Sequence, residues 1–255
     1  MYIWEDMTRE DIKNMSHGLV VISIGATEQH GYHLPVQTDN AIGRQVAYES
    51  VKKASQVIPV ILGPHIPFGH SHHHFLYAGA ISLSMKTLSL VLQEVIESVM
   101  KSGFNKVFVI NSHGGNDELV RLVAKNISYQ QAVHIMAGSY WSLADEDIRQ
   151  YRKKYDIYDF GHAGQFETSL MMAIKPELVK MERLNGELPN RESLELSLGP
   201  VVREMIHDSV WKKIDGYSDE PEKAKKEFGE GLLEVISDCL SQEFIEFYQS
   251  CSLSI

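Results

Sequence analysis

Short apolar runs alternate with amphipathic segments along the first 140 residues. Four runs of five to seven residues lie at 18–24, 57–62, 106–110 and 132–137. Their length and their Val and Ile content predict buried strands. Between them, three segments suit helices, at 40–54, at 84–101 and, after Asn116, to about residue 129. Strands that alternate with helices of this length favour a mainly parallel sheet covered on both faces, so we predict a three-layer α/β/α fold of the α/β class.

Outside this region the pattern is mostly helical. Helical spacing is found at residues 4–15, 142–155, 165–174 and 220–249, and residues 184–200 are loop-like. No linker rich in Ser, Gly or Pro divides the chain, and no internal repeat is visible in the sequence. We therefore expect a single domain that covers residues 1–255.

Composition and charge narrow the function classes. The 255 residues include 24 Lys and Arg against 34 Asp and Glu, and the net charge of −10 has the wrong sign for a nucleic-acid surface. No run of 18 apolar residues predicts a membrane span, and the acidic start lacks the pattern of a secretory signal, so we expect a cytoplasmic protein. The two cysteines, Cys239 and Cys251, cannot build a thiolate cluster. Any metal must therefore be held by His and carboxylate.

The loop after the first predicted strand concentrates candidate metal ligands. It reads GATEQHGYHLPVQTD over residues 25–39 and carries Glu28, His30, His33 and Asp39. Loops at the carboxyl ends of parallel strands form the ligand crevice of such folds. If the backbone is extended, Glu28 and His30 point to the same side, because side chains alternate along a strand. One ion, or two adjacent ions, could be reached by both side chains.

A second motif, NSHGGN at residues 111–116, follows the third predicted strand. It brings His113 into the same crevice from a neighbouring loop. Gly114 and Gly115 permit a tight turn and a close approach of backbone to a ligand, so we assign them, with Asn116, to substrate binding.

A third motif, HAGQFETS at residues 162–169, places His162 and Glu167 five positions apart around a helix start. One of them can carry a proton and the other can be a metal ligand or a supporting carboxylate. Imidazole and carboxylate without thiolate suit divalent Zn, Mn or Fe, and a shared carboxylate such as Asp39 could bridge two ions.

The three motifs occur in the order and roughly the spacing of the creatininase family, also called creatinine amidohydrolase-like proteins. The chain resembles that family over nearly its whole length. The resemblance implies an α/β fold that holds two divalent metal ions. It also implies an enzyme that hydrolyses carbon–nitrogen bonds of cyclic or formyl amides. It also implies a homo-oligomer, such as a hexamer or another multiple of two or three.

The resemblance assigns roles position by position. Glu28 and His30 resemble ligands of two different ions, and Asp39 resembles the carboxylate that bridges them. His113 resembles a further ligand of the ion that Glu28 holds. His162 resembles the family's catalytic histidine.

Two departures from the motif indicate a branch other than the creatininases themselves. Gly115 stands where creatininases have a glutamate that binds the second ion, so Glu167, which matches the carboxylate of the family's ETS motif, is the nearest candidate to complete that ion's ligands. We therefore assign Glu167 to both catalysis and metal binding. Gln165 stands where the family often has glutamate. The HGGN form resembles family branches that include formamide hydrolases acting on pyrimidine intermediates.

The remaining histidines of the first half are predicted to line the substrate pocket. His33 suits a structural hydrogen bond or a pocket wall better than a metal. In the histidine run at residues 70–74 only His74 matches a recurrent family histidine, and a pocket wall or a subunit contact is favoured over a third metal. We assign His33 and His74 to substrate binding.

The function that this sequence predicts is a dinuclear metal-dependent amidohydrolase that cleaves a carbon–nitrogen bond, other than a peptide bond, of a cyclic amide or formamide by metal-bound hydroxide. Hydrolysis of a cyclic ketone or lactone in carbohydrate breakdown is an alternative, because the same centre could perform it. A non-catalytic metal-binding sensor or scaffold is an alternative of another class. The sequence has no Gly-x-Ser-x-Gly, GxGxxG, Walker or HExxH motif, so serine-hydrolase, nucleotide-dependent and zincin chemistry have no support. The expected partner is a small-molecule substrate.

Overall fold

A parallel sheet forms the centre of the molecule. The computed structural model describes residues 1–155, 161–184 and 215–252. Five strands lie in this part of the chain, β1 (Tyr2–Ile3), β2 (Leu19–Ile24), β3 (Val60–Ile66), β4 (Lys106–Asn111) and β5 (His134–Ser139). They are all parallel and follow the order β1-β3-β2-β4-β5.

Helices connect the strands and complete the chain. The α-helices of the described residues are α1 (Arg9–Asn14), α2 (Thr38–Ala54), α3 (Met85–Lys101), α4 (Asp117–Gln130), α5 (Tyr140–Leu143), α6 (Asp145–Tyr155), α7 (Gln165–Ile174) and α8 (Lys226–Ser252). Short 3-10 turns occur at Trp4–Asp6, His72–His74, Gly114–Asn116, Pro176–Leu178, Met181–Arg183 and Pro221–Lys223. No helix in the described ranges is both long enough and apolar enough to cross a membrane.

Two hydrophobic cores lie on opposite faces of the sheet. Successive residues of β2 alternate between them, since Leu19 and Val21 pack with α2, α7 and α8, whereas Val20 and Ile22 pack with α3 and α4. β2 is buried along its whole length, as expected for a central strand of a sheet covered on both sides. The predicted three-layer α/β/α architecture is therefore confirmed.

The first 15 residues differ from the helix predicted at 4–15. Tyr2 and Ile3 pair with Ile61 and Leu62, so the chain begins as the edge strand β1. The helix α1 starts only at Arg9, because Thr8 closes a reciprocal capping box with Asp11. A strand of two residues is too short to show a period in the sequence.

The strand β3 extends further than predicted, through Gly63, Pro64 and His65 to Ile66. His65 is polar, but Ser23 lies 2.8 Å from its Nδ1 and the side-chain oxygen of Asn40 accepts a hydrogen bond of 2.9 Å from its Nε2. These bonds satisfy the ring inside the protein, so the residue remains in the strand.

Smaller differences concern other element boundaries. The helix predicted at 142–155 is divided into α5 and α6, and the helix predicted at 220–249 begins at Lys226 after a 3-10 turn. β5 lies two residues further along the chain than the run at 132–137. The segment predicted to be loop-like lies, from residue 185 to residue 200, outside the described residues.

Candidate metal centre

Five predicted ligands meet at the carboxyl edge of the sheet. Glu28 and His30 follow β2, Asp39 lies in the first turn of α2, His113 follows β4, and Glu167 lies in the first turn of α7. Their side chains come from four separate segments, and each residue is only 1–4% exposed. The fold therefore brings together all five residues that the sequence assigned to metal binding.

The carboxylate of Asp39 lies between two imidazole rings. Its Oδ1 is 3.1 Å from Nε2 of His30, and its Oδ2 is 3.1 Å from Nδ1 of His113. A carboxylate that bridges two ions must direct one oxygen to each ion, and each oxygen then lies near the other ligands of that ion. Asp39 has this arrangement.

Backbone carbonyls fix the orientation of both imidazoles. Nδ1 of His30 lies 3.3 Å from the carbonyl oxygen of Glu28, and Nε2 of His113 lies 3.1 Å from that of His70. A carbonyl only accepts hydrogen bonds, so these ring nitrogens carry the protons. The other nitrogen of each ring faces Asp39 and is placed to bind an ion once that ion displaces its proton.

The two glutamates lie at opposite sides of this group. Oε2 of Glu28 is 3.4 Å from Nε2 of His113, whereas Oε2 of Glu167 is 3.6 Å from Nε2 of His30. Glu167 also accepts a hydrogen bond of 2.6 Å from the backbone N–H of Ala163. Ligand atoms of His30, Asp39 and Glu167 lie within 4.8 Å of one another, which is close enough to surround one ion.

The buried charges of the centre favour bound cations. Burial raises the pKa of Glu167 to about 8. Burial disfavours a charged His30, but the carboxylates of Asp39 and Glu167 outweigh this and raise its pKa to about 9. Within the described residues, Oε2 of Glu28 and Oδ2 of Asp39 receive no hydrogen bond. Buried carboxylates with free oxygens are costly unless a cation pairs with them, so this donor set fits divalent metal ions.

His162 lies at the edge of the centre. Its Nε2 lies 2.9 Å from the backbone carbonyl oxygen of Gln29 and 3.0 Å from the side-chain amide nitrogen of Gln29, and its Nδ1 is 3.7 Å from Oε1 of Glu28. Its ring lies against the rings of His30 and His74, with centroid distances of 4.4 and 4.5 Å. Burial, and then the charge of His30, lower the pKa of His162 well below its ordinary value. The ring is therefore neutral, with one nitrogen able to accept a proton.

The backbone next to His162 is strained. Ala163 has a φ of 52°, in the left-handed region, which costs a residue with a Cβ roughly 1–2 kcal/mol. This conformation directs the N–H of Ala163 to Glu167. Strain of this kind persists where the surrounding structure needs the geometry.

The five residues assigned to substrate binding have different surroundings. Nε2 of His74 lies 3.2 Å from Oε1 of Glu28, so His74 reaches the centre. His33 instead contacts α7, where its Nε2 is 2.8 Å from the hydroxyl of Thr168. Asn116 is buried and joins two loops by hydrogen bonds to the backbone at His70 and Gly25.

The two glycines of the NSHGGN motif also differ. A Cβ added to Gly114 would meet no atom within 4 Å, so its backbone is open to a ligand. A Cβ on Gly115 would lie 2.3 Å from the carbonyl oxygen of His70 and 2.6 Å from Nε2 of His113. No side chain fits at Gly115 without movement of the backbone at His70.

Two residues near the centre were not assigned from the sequence. Gln29 places its Nε2 2.9 Å from Nδ1 of His74, and its Oε1 accepts a hydrogen bond from the N–H of Gly31. His73 has a ligand atom within 4.8 Å of those of Glu28 and His113. The position of Gln29 between two predicted ligands was the available signal, whereas His73 was hidden in a run of similar residues.

Comparisons with known proteins found a matching family, similar relatives and solved structures of the same fold. The sequence model of the creatininase family, described as creatinine amidohydrolase, matches residues 5–244. A mycofactocin precursor peptide peptidase of Mycobacterium ulcerans (strain Agy99) is 35% identical over 66% of this chain and 62% of its own length. This chain thus spans less than two thirds of that relative. A creatinine amidohydrolase of Pseudomonas putida is 26% identical over 89% of this chain and 90% of its own length.

A solved structure described as a creatininase with Mn shares the fold. Its TM-score is 0.74 at 21% sequence identity, and the match covers 96% of this chain and 97% of that chain.

Proposed function

This chain belongs to the creatininase family, and from that premise we propose that it is a metal-dependent amidohydrolase with two divalent ions. The proposed reaction is hydrolysis of a carbon–nitrogen bond in a small cyclic amide or a formamide. The observation that carries the proposal is the position of Asp39, whose two oxygens lie 3.1 Å from His30 and 3.1 Å from His113.

The donors divide into two sets that share Asp39. His30 and Glu167 lie on one side of this carboxylate, and Glu28 and His113 lie on the other. Imidazole nitrogen with carboxylate oxygen suits Zn, Mn or Fe, and the related creatininase structure holds Mn. Two such ions, when bound, lower the pKa of a water molecule and polarise a carbonyl oxygen.

His162 is the proposed proton carrier. In the tautomer whose Nε2 donates to the backbone carbonyl of Gln29, Nδ1 is the nitrogen that takes a proton and passes it to the leaving amine. The low pKa of the ring keeps Nδ1 unprotonated before the reaction. A neutral histidine next to buried carboxylates is suited to this role.

Gln29 and His74 are proposed to orient Glu28. The side-chain amide of Gln29 donates to Nδ1 of His74, so the proton of that ring is on Nε2 and faces Oε1 of Glu28. This contact holds the carboxylate with its second oxygen toward His113. The burial of these side chains excludes bulk water, which strengthens the electrostatic interactions at the centre.

Gly115 supports a substrate other than creatinine, since the resemblance places a metal-binding glutamate there in creatininases. A short peptide is a second candidate substrate, because the 35% identical relative is a precursor peptide peptidase. Both substrates contain an amide bond, so they require the same chemistry and differ in the shape of the pocket.

We also propose that the chain is a single domain, since no linker divides its sequence, and that it acts as a homo-oligomer, as the resemblance implies. Exposed apolar side chains near the site support a subunit contact. Phe75 is 57% exposed and Ile81 is 54% exposed, and both lie in the loop that carries His73 and His74.

The test combines metal analysis with a substrate panel. Protein purified without chelator should contain about two divalent ions per chain by elemental analysis, because five donors exceed what one tetrahedral ion needs. The panel contains creatinine, other cyclic amides, heteroaromatic formamides, a short peptide and a cyclic ketone. Release of amine or formate should stop with chelator and return with Zn or Mn.

Each outcome of this test has a clear meaning. Turnover of the ketone alone would replace amide hydrolysis by the carbohydrate reaction. Two tightly bound ions without turnover of any panel member would favour a metal-binding scaffold. Fewer than one ion per chain at full activity would exclude the dinuclear mechanism. Asp39→Ala serves as the control that removes the shared ligand.

A further inference from the structure

The loop of residues 70–74 packs directly over Gly115. A Cβ at Gly115 would lie 2.3 Å from the carbonyl oxygen of His70, which is backbone and cannot rotate away. The same carbonyl lies 3.1 Å from Nε2 of His113. The loop therefore fills the space that a side chain at residue 115 would need, and it brings its own side chains over His113.

In this loop, the ring of His73 faces the ring of His113. The two rings are parallel, with an interplanar angle of 2° and a centroid distance of 5.9 Å. One ligand atom each from Glu28, His73 and His113 lie within 4.8 Å of one another. Three atoms bound to one ion at about 2.1 Å in tetrahedral geometry lie about 3.4 Å apart, so adjustments on the order of 1 Å would let all three bind a common ion.

We propose that His73 is a protein ligand of the ion held by Glu28 and His113. This inference rests on the proposed function, because it assigns a further ligand to the same centre. It goes beyond the pocket-wall or subunit-contact role that the sequence favoured for the histidine run as a whole.

The added ligand makes the two metal positions unequal. With Asp39, the first position has four protein donors, from Glu28, Asp39, His73 and His113. The second position has three, from His30, Asp39 and Glu167. Zinc sites with four protein ligands are closed, whereas catalytic sites keep one position open for water or substrate. With both ions bound, the position next to Glu167 would be the one with room for a water molecule or the substrate.

His72 provides a matched control. It lies on the same 3-10 turn as His73, but it is exposed and its Nδ1 is 2.6 Å from the hydroxyl of Ser82. If the loop bound metal only at its surface, the metal affinity would depend equally on His72 and His73. A centre that uses His73 would depend on His73 alone.

The experiment is a zinc titration by calorimetry, with a competing chelator, on wild type, His73→Gln and His72→Gln. Wild type should bind two ions. His73→Gln should weaken one of them by at least about tenfold, because the loss of even a supporting residue around a metal costs 10–100-fold in affinity. His72→Gln should bind both ions as wild type does.

Wild-type affinity for both ions in His73→Gln would overturn the inference and leave the proposed function intact. Equal weakening in both variants would also overturn it, since that result indicates surface binding. Fewer than two ions in wild type would instead contradict the dinuclear proposal. X-ray absorption needs only the zinc-loaded wild type, so it does not depend on whether a variant folds. It should show three imidazole ligands for every two zinc ions, whereas a centre without His73 would show two.

Discussion

At the scale of single residues, Asp39 has the widest role in the centre. Both of its oxygens lie 3.1 Å from an imidazole nitrogen, while Nε2 of His30 lies 3.6 Å from Oε2 of Glu167, on one side of Asp39. Asp39→Ala should therefore empty both metal positions, and His30→Ala should mainly weaken one. Metal titration of the two variants measures the difference. Equal loss in both variants would contradict the bridging role of Asp39.

His162 is expected to act on the rate and not on metal binding. Its ring lies 3.7 Å from Glu28 and is held by the carbonyl of Gln29. His162→Ala should keep nearly two ions per chain and lower the rate of the chemical step by roughly 10²–10⁴-fold, the usual contribution of proton transfer. Elemental analysis and single-turnover kinetics on the active panel substrate measure both effects. A loss of metal in proportion to activity would make His162 a ligand instead.

The sequence predicted which residues meet at the centre because parallel topology brings the loops after β2 and β4 to one edge of the sheet. It did not predict Gln29 or His73 as neighbours of that centre. Gln29 reaches His74 through a turn in which Gly31 has a φ of 63°, and strand alternation does not apply there. His73 is brought to His113 by the absence of a side chain at Gly115, which is a packing relation between distant loops.

At the scale of elements, the crossing of α7 and α8 positions Glu167. The two helices touch at Gly229, where an added Cβ would lie 1.8 Å from the carbonyl oxygen of Ser169 in α7. Glu167 lies two residues before this contact, in the first turn of α7. The distance between the helix backbones therefore sets where this carboxylate stands.

Gly229→Ala should lower the free energy of unfolding by about 1–3 kcal/mol, because the clash with backbone outweighs the better helix propensity of alanine. It should also weaken metal binding as α7 moves. Gly231→Ala is the control, since its Cβ would meet the side chain of Tyr151, which can rotate away. Denaturant unfolding and zinc titration compare the two variants. A larger loss of stability in Gly231→Ala would contradict this account.

The predictions of helices and strands succeeded where apolar residues repeated with a single period through a buried segment. β2 and α3 are examples, and Ser84 caps α3 at its predicted start. The predictions failed where hydrogen bonds to residues distant in the sequence, and not a repeat of apolar residues, determined the end of an element. β3 includes His65 because Ser23 and Asn40 bond to its ring, and neither partner is near it in the sequence.

At the scale of the whole molecule, the metal centre joins segments that are far apart in the chain. Glu28 and Asp39 come from the first 40 residues, whereas Glu167 lies on α7, which packs against α8. Ions held by all three carboxylates would link the first βα unit to the C-terminal helices. Stability of the folded chain should then depend on metal concentration.

We expect zinc at about 1,000 times its dissociation constant to stabilise the chain by about 4 kcal/mol, because ions that bind only the folded state shift unfolding by mass action. For a chain of this size, that gain corresponds to a rise of roughly 8–16 °C in Tm over chelator-treated protein. Calorimetry with and without zinc measures the shift. Asp39→Ala should lose most of it, whereas His72→Gln should keep it. A shift retained in full by Asp39→Ala would mean that zinc stabilises the protein somewhere other than at this centre.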